Sequence, residues 1–173
     1  MGPRAQHPGL SPEGPKRRPG TRLPLFDRLV DADPRRHEEV QPQRVLTGGE
    51  IQASIRRELV RLLNTRCVET LGALGGQQRT VLNYGLPDFS TLSPTSDGDR
   101  ERLARLIVEA VRAYEPRLRS PTAMVAVDPQ QPRVLRVVLT GMLVLDNLQE
   151  PVSFPLVIEH RGATIEIEPA QGV

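Results

Sequence analysis

Two stretches of the chain repeat apolar residues at helical spacing. From Glu50 to about Arg66, Ile51, Ile55, Leu59, Leu62 and Leu63 share one face, while Arg56, Arg57, Glu58 and Arg61 project elsewhere. Thr47 followed three residues later by Glu50 fits a capping box that would open this helix. From Asp99 to Glu115, Leu103, Leu106, Ile107, Ala110, Val111 and Tyr114 form a second stripe, opposite Arg100, Glu101, Arg105, Glu109 and Arg112. Asp97 or Asp99 is expected to cap it. Pro116 stops it, because proline has no amide proton and disfavours helical geometry at the preceding residue. A carboxylate, Glu115, is thereby left at the negative end of the helix dipole, which costs about 0.3–1 kcal/mol unless a cation answers it. Arg117 is the nearest candidate within the chain, and a group on another protein is the alternative.

After Arg119 the period changes from 3.6 to 2. Residues 123–127, 134–145, 152–159 and 163–167 read as strands. Leu135, Val137 and Leu139 fall on one parity of the second run, Arg136 and Thr140 on the other, and Gly141 marks a candidate bulge. Turns are expected at 128–132 and 146–150, with His160-Arg161-Gly162 joining the last two strands as a hairpin. The fold class is α+β: two amphipathic helices followed by and packed on a small antiparallel β-sheet.

Outside these elements the chain is polar or punctuated. Residues 1–22 are rich in Pro, Gly and Arg and read as a disordered basic tail. Residues 23–46 read as a docking arm and linker, in which Leu25 and Phe26 stand out as an apolar patch, and residues 47–173 form the domain. Between the helices, residues 72–80 read as a loop. The next segment, Asn83-Tyr84-Gly85-Leu86-Pro87-Asp88-Phe89, holds two aromatics, a glycine that permits positive φ and a stiffening proline, so it reads as an ordered loop with Tyr84 and Phe89 as plugs beneath it. Ser93 to Gly98 is a polar connector.

Composition narrows the chemistry. Net charge is +2, from 23 basic and 21 acidic residues over 173. Residues 1–22 hold five of the basic groups against Glu13 alone, so the remainder carries 18 basic and 20 acidic groups. A slightly acidic body with no aromatic platform among basic strands argues against nucleic-acid binding. Cys67 is alone and is expected to be a small buried apolar residue; it supplies neither a disulfide nor a zinc cluster. His160 is the only histidine past residue 37, and no phosphate-binding or dinucleotide fingerprint occurs, so no metal and no cofactor are expected. A peptidoglycan glycosidase would need a second carboxylate beside Glu115, and none is singled out by its setting. No apolar run approaches the ~20 residues of a membrane helix, and the start has no apolar signal-peptide core, which fits a cytoplasmic protein with no direct membrane insertion.

The succession of an LFDRL patch, a helix ending LLNTR, the loop NYGLPDF, a helix ending YEPRL and a strand reading VVLTGML resembles the TssE family. These are small baseplate subunits of bacterial type VI secretion systems, related to baseplate wedge proteins of contractile phage tails and sometimes labelled lysozyme-like. The resemblance spans about residues 23–168, and the basic tail lies outside it. It implies a compact α+β fold and a structural, non-enzymatic role: contact with other baseplate wedge subunits and with contractile sheath proteins, whose polymerisation such subunits help to start. In that family the EPR triplet is a signature thought to serve an interface. Here it maps onto Glu115, Pro116 and Arg117. The interface residues expected are these three, Leu25 and Phe26 of the arm, and Tyr84, Gly85, Leu86, Pro87 and Asp88 of the loop.

Overall fold

The computed structural model describes residues 21–22, 45–46, 48–71, 79–145, 148–159 and 164–168. Two short strands, β1 (Thr21–Arg22) and β2 (Val45–Leu46), pair antiparallel, so the last residues of the expected tail are tied to the last residues of the expected linker. Leu25, Phe26, Thr47 and the His160–Gly162 turn lie outside the described residues.

Helix α1 (Gly48–Asn64) buries Ile51, Ser54, Ile55, Leu59, Leu62 and Leu63, the predicted stripe plus one serine. Helix α2 (Asp97–Tyr114) buries Leu103, Leu106, Ile107, Ala110 and Val111. Its start corrects the expectation: Ser96, with extended backbone, is the N-cap and accepts the Asp99 amide at 3.3 Å. A serine oxygen reaches the third amide of the helix as well as an aspartate does. The two aspartates are used otherwise: Asp99 accepts the Ser93 amide at 2.9 Å and Asp97 pairs with Arg100.

The sheet is antiparallel, in the order β3 (Leu118–Val127), β4 (Val134–Leu145), β5 (Leu148–Glu159), β6 (Ile165–Ile167). Strand β3 starts directly after the EPR stop, five residues earlier than the periodicity suggested. Strand β5 starts at Leu148, inside the stretch read as a turn. Leu145 pairs with Leu148, so β4 and β5 stay paired up to the last residue of one and the first of the other. The bulge lies on the strand opposite Gly141. Pairing jumps between Arg119 and Thr122, and Ser120 takes φ 47°. A Cβ at Gly141 would lie 2.8 Å from Leu118 Cδ1 and 3.1 Å from the Arg119 carbonyl oxygen, so a larger residue there needs Leu118 to shift.

One face of the sheet carries Leu135, Val137, Leu139, Leu143, Val152, Phe154, Leu156 and Ile158, all buried in one core with the stripes of both helices. The other face carries Met124, Val138, Met142 and Arg136, exposed to solvent. Phe89 and Phe154 are the only fully buried aromatics among the described residues, so the core there is mostly aliphatic. Among the described residues no helix is long and apolar enough to cross a membrane.

Candidate functional site

The EPR triplet forms a closed joint. Glu115 ends α2, its amide donating to the Val111 carbonyl at 2.8 Å, and its side chain is 3% exposed. Arg117 answers it with both arms: Nε reaches Oε1 and Nη2 reaches Oε2, each at 2.6 Å. The remaining nitrogen, Nη1, donates to Ser54 Oγ on α1 at 3.0 Å, and the Arg117 carbonyl accepts the Val144 amide of β4 at 2.8 Å. The carboxylate misfit at the helix end is thus resolved inside the chain, in a bidentate charge-assisted pair. One arginine ties α1, the end of α2 and β4 together. Pro116 sits on the outside of the joint, exposed. Ser54 was open to detection, as a polar residue on the apolar face of α1.

The NYGLPDF loop is a second fixed unit. Gly85 has φ +111°, and a Cβ there would lie 2.3 Å from the Thr65 carbonyl oxygen. That close approach lets Leu86, fully buried, donate to the Thr65 carbonyl and accept from the Cys67 amide, both at 2.9 Å. Pro87 and Phe89 are buried with it, and the Arg66 guanidinium lies 4.5 Å over the Phe89 ring. Burial lowers the Arg66 pKa from its ordinary value, with the nearby Asp88 charge opposing the shift. Asp88 is exposed and accepts the Ser90 amide at 2.9 Å, a bond that holds its carboxyl below its ordinary value.

The two motifs meet through their tyrosines. Tyr84 and Tyr114 pack edge to face at 5.1 Å, and the Tyr114 hydroxyl donates to the Thr80 carbonyl at 2.7 Å. Burial pushes both phenols above their usual pKa. Thr80 opens a single 3-10 turn, Val81–Asn83, closed by a capping box between the Thr80 and Asn83 side chains. The Thr-x-x-Asn spacing carried that signal, but the glycine- and glutamine-rich run before it masked the turn.

Both oxygens of Glu115 are held by Arg117, so this carboxylate is not free to face a substrate. Among the described residues no cluster of His, Cys, Asp and Glu could hold a metal ion. Cys67 is buried, as its apolar reading expects.

The family model for baseplate wedge protein gp25 matches residues 50–148, from the start of α1 to the start of β5. A solved structure, "The baseplate complex from the type VI secretion system", contains a chain that is 20% identical, with TM-score 0.46; the alignment covers 63% of this chain and 94% of that one. No curated protein sequence matches.

Proposed function

This chain belongs to the baseplate wedge protein gp25 family, and we propose that it is a structural baseplate subunit of a type VI contractile injection machine that contacts other wedge subunits and offers the sheath its first strand partner. The type VI assignment rests on the motif set LFDRL, LLNTR, NYGLPDF and YEPRL. The machine's cytoplasmic side is the place for it.

The observation that carries the sheath role is the difference between the two edges of the sheet. The Asp128 amide donates to the Val134 carbonyl, so by alternation Ala123, Val125 and Val127 turn their backbone groups away from β4, toward open space. Strand β3 opens with Arg119, the bulge at Ser120 and Pro121, devices that blunt an edge, but from Thr122 to Val127 it carries no charge and no proline. Beside this edge runs a groove of about 390 Å³ between Ala123, Met124 and Val125 and the first turns of α2. The opposite edge is guarded. Among the described residues, β6 pairs with Leu156–Ile158 of β5. Beyond it, Pro151 and Pro155 occupy positions whose nitrogens face outward, as the Glu168 amide bonding the Pro155 carbonyl fixes. An extended segment of a sheath protein fits the open edge, since a row of backbone donors and acceptors is matched best by another strand.

The EPR joint and the NYGLPDF loop act in this reading as the frame. Glu115 and Arg117 fix where β3 begins, while Gly85 and Leu86 fix the surface around Tyr84, Pro87 and Asp88. Leu25 and Phe26 serve as the docking arm. The glycosidase alternative has the weaker support, because Glu115 is already paired. Deleting the gene in the source cells tests the reading: baseplates should persist without sheath, and the full-length protein should restore sheath. Normal sheath in its absence would refute the proposal.

A further inference from the structure

Strand β6 is three residues long, and its outer side is met by a side chain of α1. Thr164 and Glu168 face β5: the Glu159 amide donates to the Thr164 carbonyl at 3.2 Å, and the Glu168 amide donates to the Pro155 carbonyl at 3.0 Å. By alternation Ile165 and Ile167 turn their backbone groups outward. Asn64, the last residue of α1 and the centre of the LLNTR motif, meets the first of these with both ends of its amide. Oδ1 accepts the Ile165 amide and Nδ2 donates to the Ile165 carbonyl, each at 2.8 Å. Accepting from and donating to one outward residue is what a neighbouring strand does, so this side chain stands in for a strand.

The amide is held in that position. Its second Nδ2 hydrogen goes to the Val60 carbonyl one turn back, at 2.8 Å, so both donors and the acceptor are used. Further along, Arg56 of α1 donates to the Glu168 carbonyl, the acceptor opposite Pro155, which has no proton to give it. Asn64 is nonetheless exposed, so the place its amide fills lies within reach of an arriving strand.

A closed β6 matters because β3 is open. The four strands alternate in direction, so β3 and β6 run opposite ways, and a second copy in the same orientation would lay its β3 antiparallel on β6. Such a contact is head-to-tail and does not close on itself, so a subunit with two open edges grows into filaments through its own sheet. We propose that Asn64 confines strand addition to β3: by occupying the outward groups of Ile165 it stops the subunit from polymerising edge to edge and keeps one edge for the sheath. The inference rests on the open β3 edge of the proposed function and adds the residue that makes recognition one-sided.

Sedimentation velocity of the purified full-length proteins over a range of concentrations tests it. Wild type should be no larger than a dimer. Asn64→Ala should have a weight-average mass more than about twice that of wild type, rising with concentration, as open head-to-tail pairing requires. Adding Val125→Pro, which removes an outward amide of β3, should return the mass to the wild-type value. Asn64→Asp also loses the donor to the Ile165 carbonyl but puts a charge on the edge, and should stay at the wild-type mass. Asn64→Ala no larger than wild type, growth that Val125→Pro leaves unchanged, or equal growth of Asn64→Asp would overturn the inference. An Asn64→Ala protein without a cooperative melt would overturn it too, since Asn64 would then hold the fold and not the edge. Normal sheath in cells lacking this subunit would remove the sheath reading and leave these masses as they are.

Discussion

The rings of Tyr84 and Tyr114 meet edge to face, 5.1 Å between centroids and 64° between planes, and so join the loop after the 3-10 turn to the last residue of α2. Two motifs 30 residues apart in sequence become one unit through this contact and through the Tyr114 hydroxyl on the Thr80 carbonyl. Tyr114→Phe keeps the ring and removes only that hydrogen bond, so it should cost about 0.5–1.5 kcal/mol. Tyr114→Ala also loses the aromatic pair and should cost more. Urea unfolding of the three proteins checks the order.

The pair Glu115–Arg117 is expected to behave as a buried ion pair. Glu115→Ala leaves the Arg117 guanidinium with a lost partner in a nearly closed site and should destabilise by about 3–5 kcal/mol. Replacing both residues by methionine should cost less than the sum of the single changes, since neither charge is then stranded. Additive losses in the double-mutant cycle would mean that the pair does not act as a unit.

Gly85→Ala places a Cβ against the Thr65 carbonyl and forces an L side chain to φ +111°. The backbone conformation alone should cost about 1–3 kcal/mol, and the collision adds to it. The amides of Leu86 and Cys67, which zip the loop to the chain after α1, should lose hydrogen-exchange protection first.

Much of this architecture was legible because it depends on period. The stripes of α1 and α2, the parity of β4 and the stop at Pro116 need only the spacing of Leu, Ile and Val, and Gly85 announced its positive φ by lying between Tyr84 and Leu86. Other features depend on partners that no local pattern names. Ser96 displaced two aspartates as the cap because Asp99 found the Ser93 amide and Asp97 found Arg100. The bulge lies on β3, opposite Gly141, and which strand would carry it depended on the register across the ladder. Ser54 became the third corner of the EPR joint from 63 residues away. The unequal edges of the sheet followed only once strand order and the direction of the Pro155 carbonyl were known.

Asp128 fastens the β3–β4 turn. Its carboxylate accepts the Gln130 amide at 2.8 Å and Arg136 Nε at 2.6 Å, and these bonds hold its pKa below the usual aspartate value. A depressed folded-state pKa stabilises the fold above the unfolded value, near pH ~3.9, and that contribution is lost as pH falls through the folded value. Asp128→Asn should therefore be less stable than wild type at pH 7, with the gap narrowing as pH falls below about 4. Paired thermal melts across that range measure it; a gap that widens in acid would contradict the assignment.

The open edge of β3 is tested most directly by counting baseplates that carry sheath when the subunit is Val125→Pro. Proline at this position removes an outward amide and leaves the β3–β4 ladder bonds in place, and Val125→Thr, which keeps the amide, serves as the control. Electron micrographs of baseplates from cells making each variant at equal, folded levels should show the sheath-bearing fraction of Val125→Pro reduced about tenfold or more, with Val125→Thr close to wild type and both variants still bound to baseplates. Sheath on Val125→Pro baseplates at the wild-type level would contradict the account.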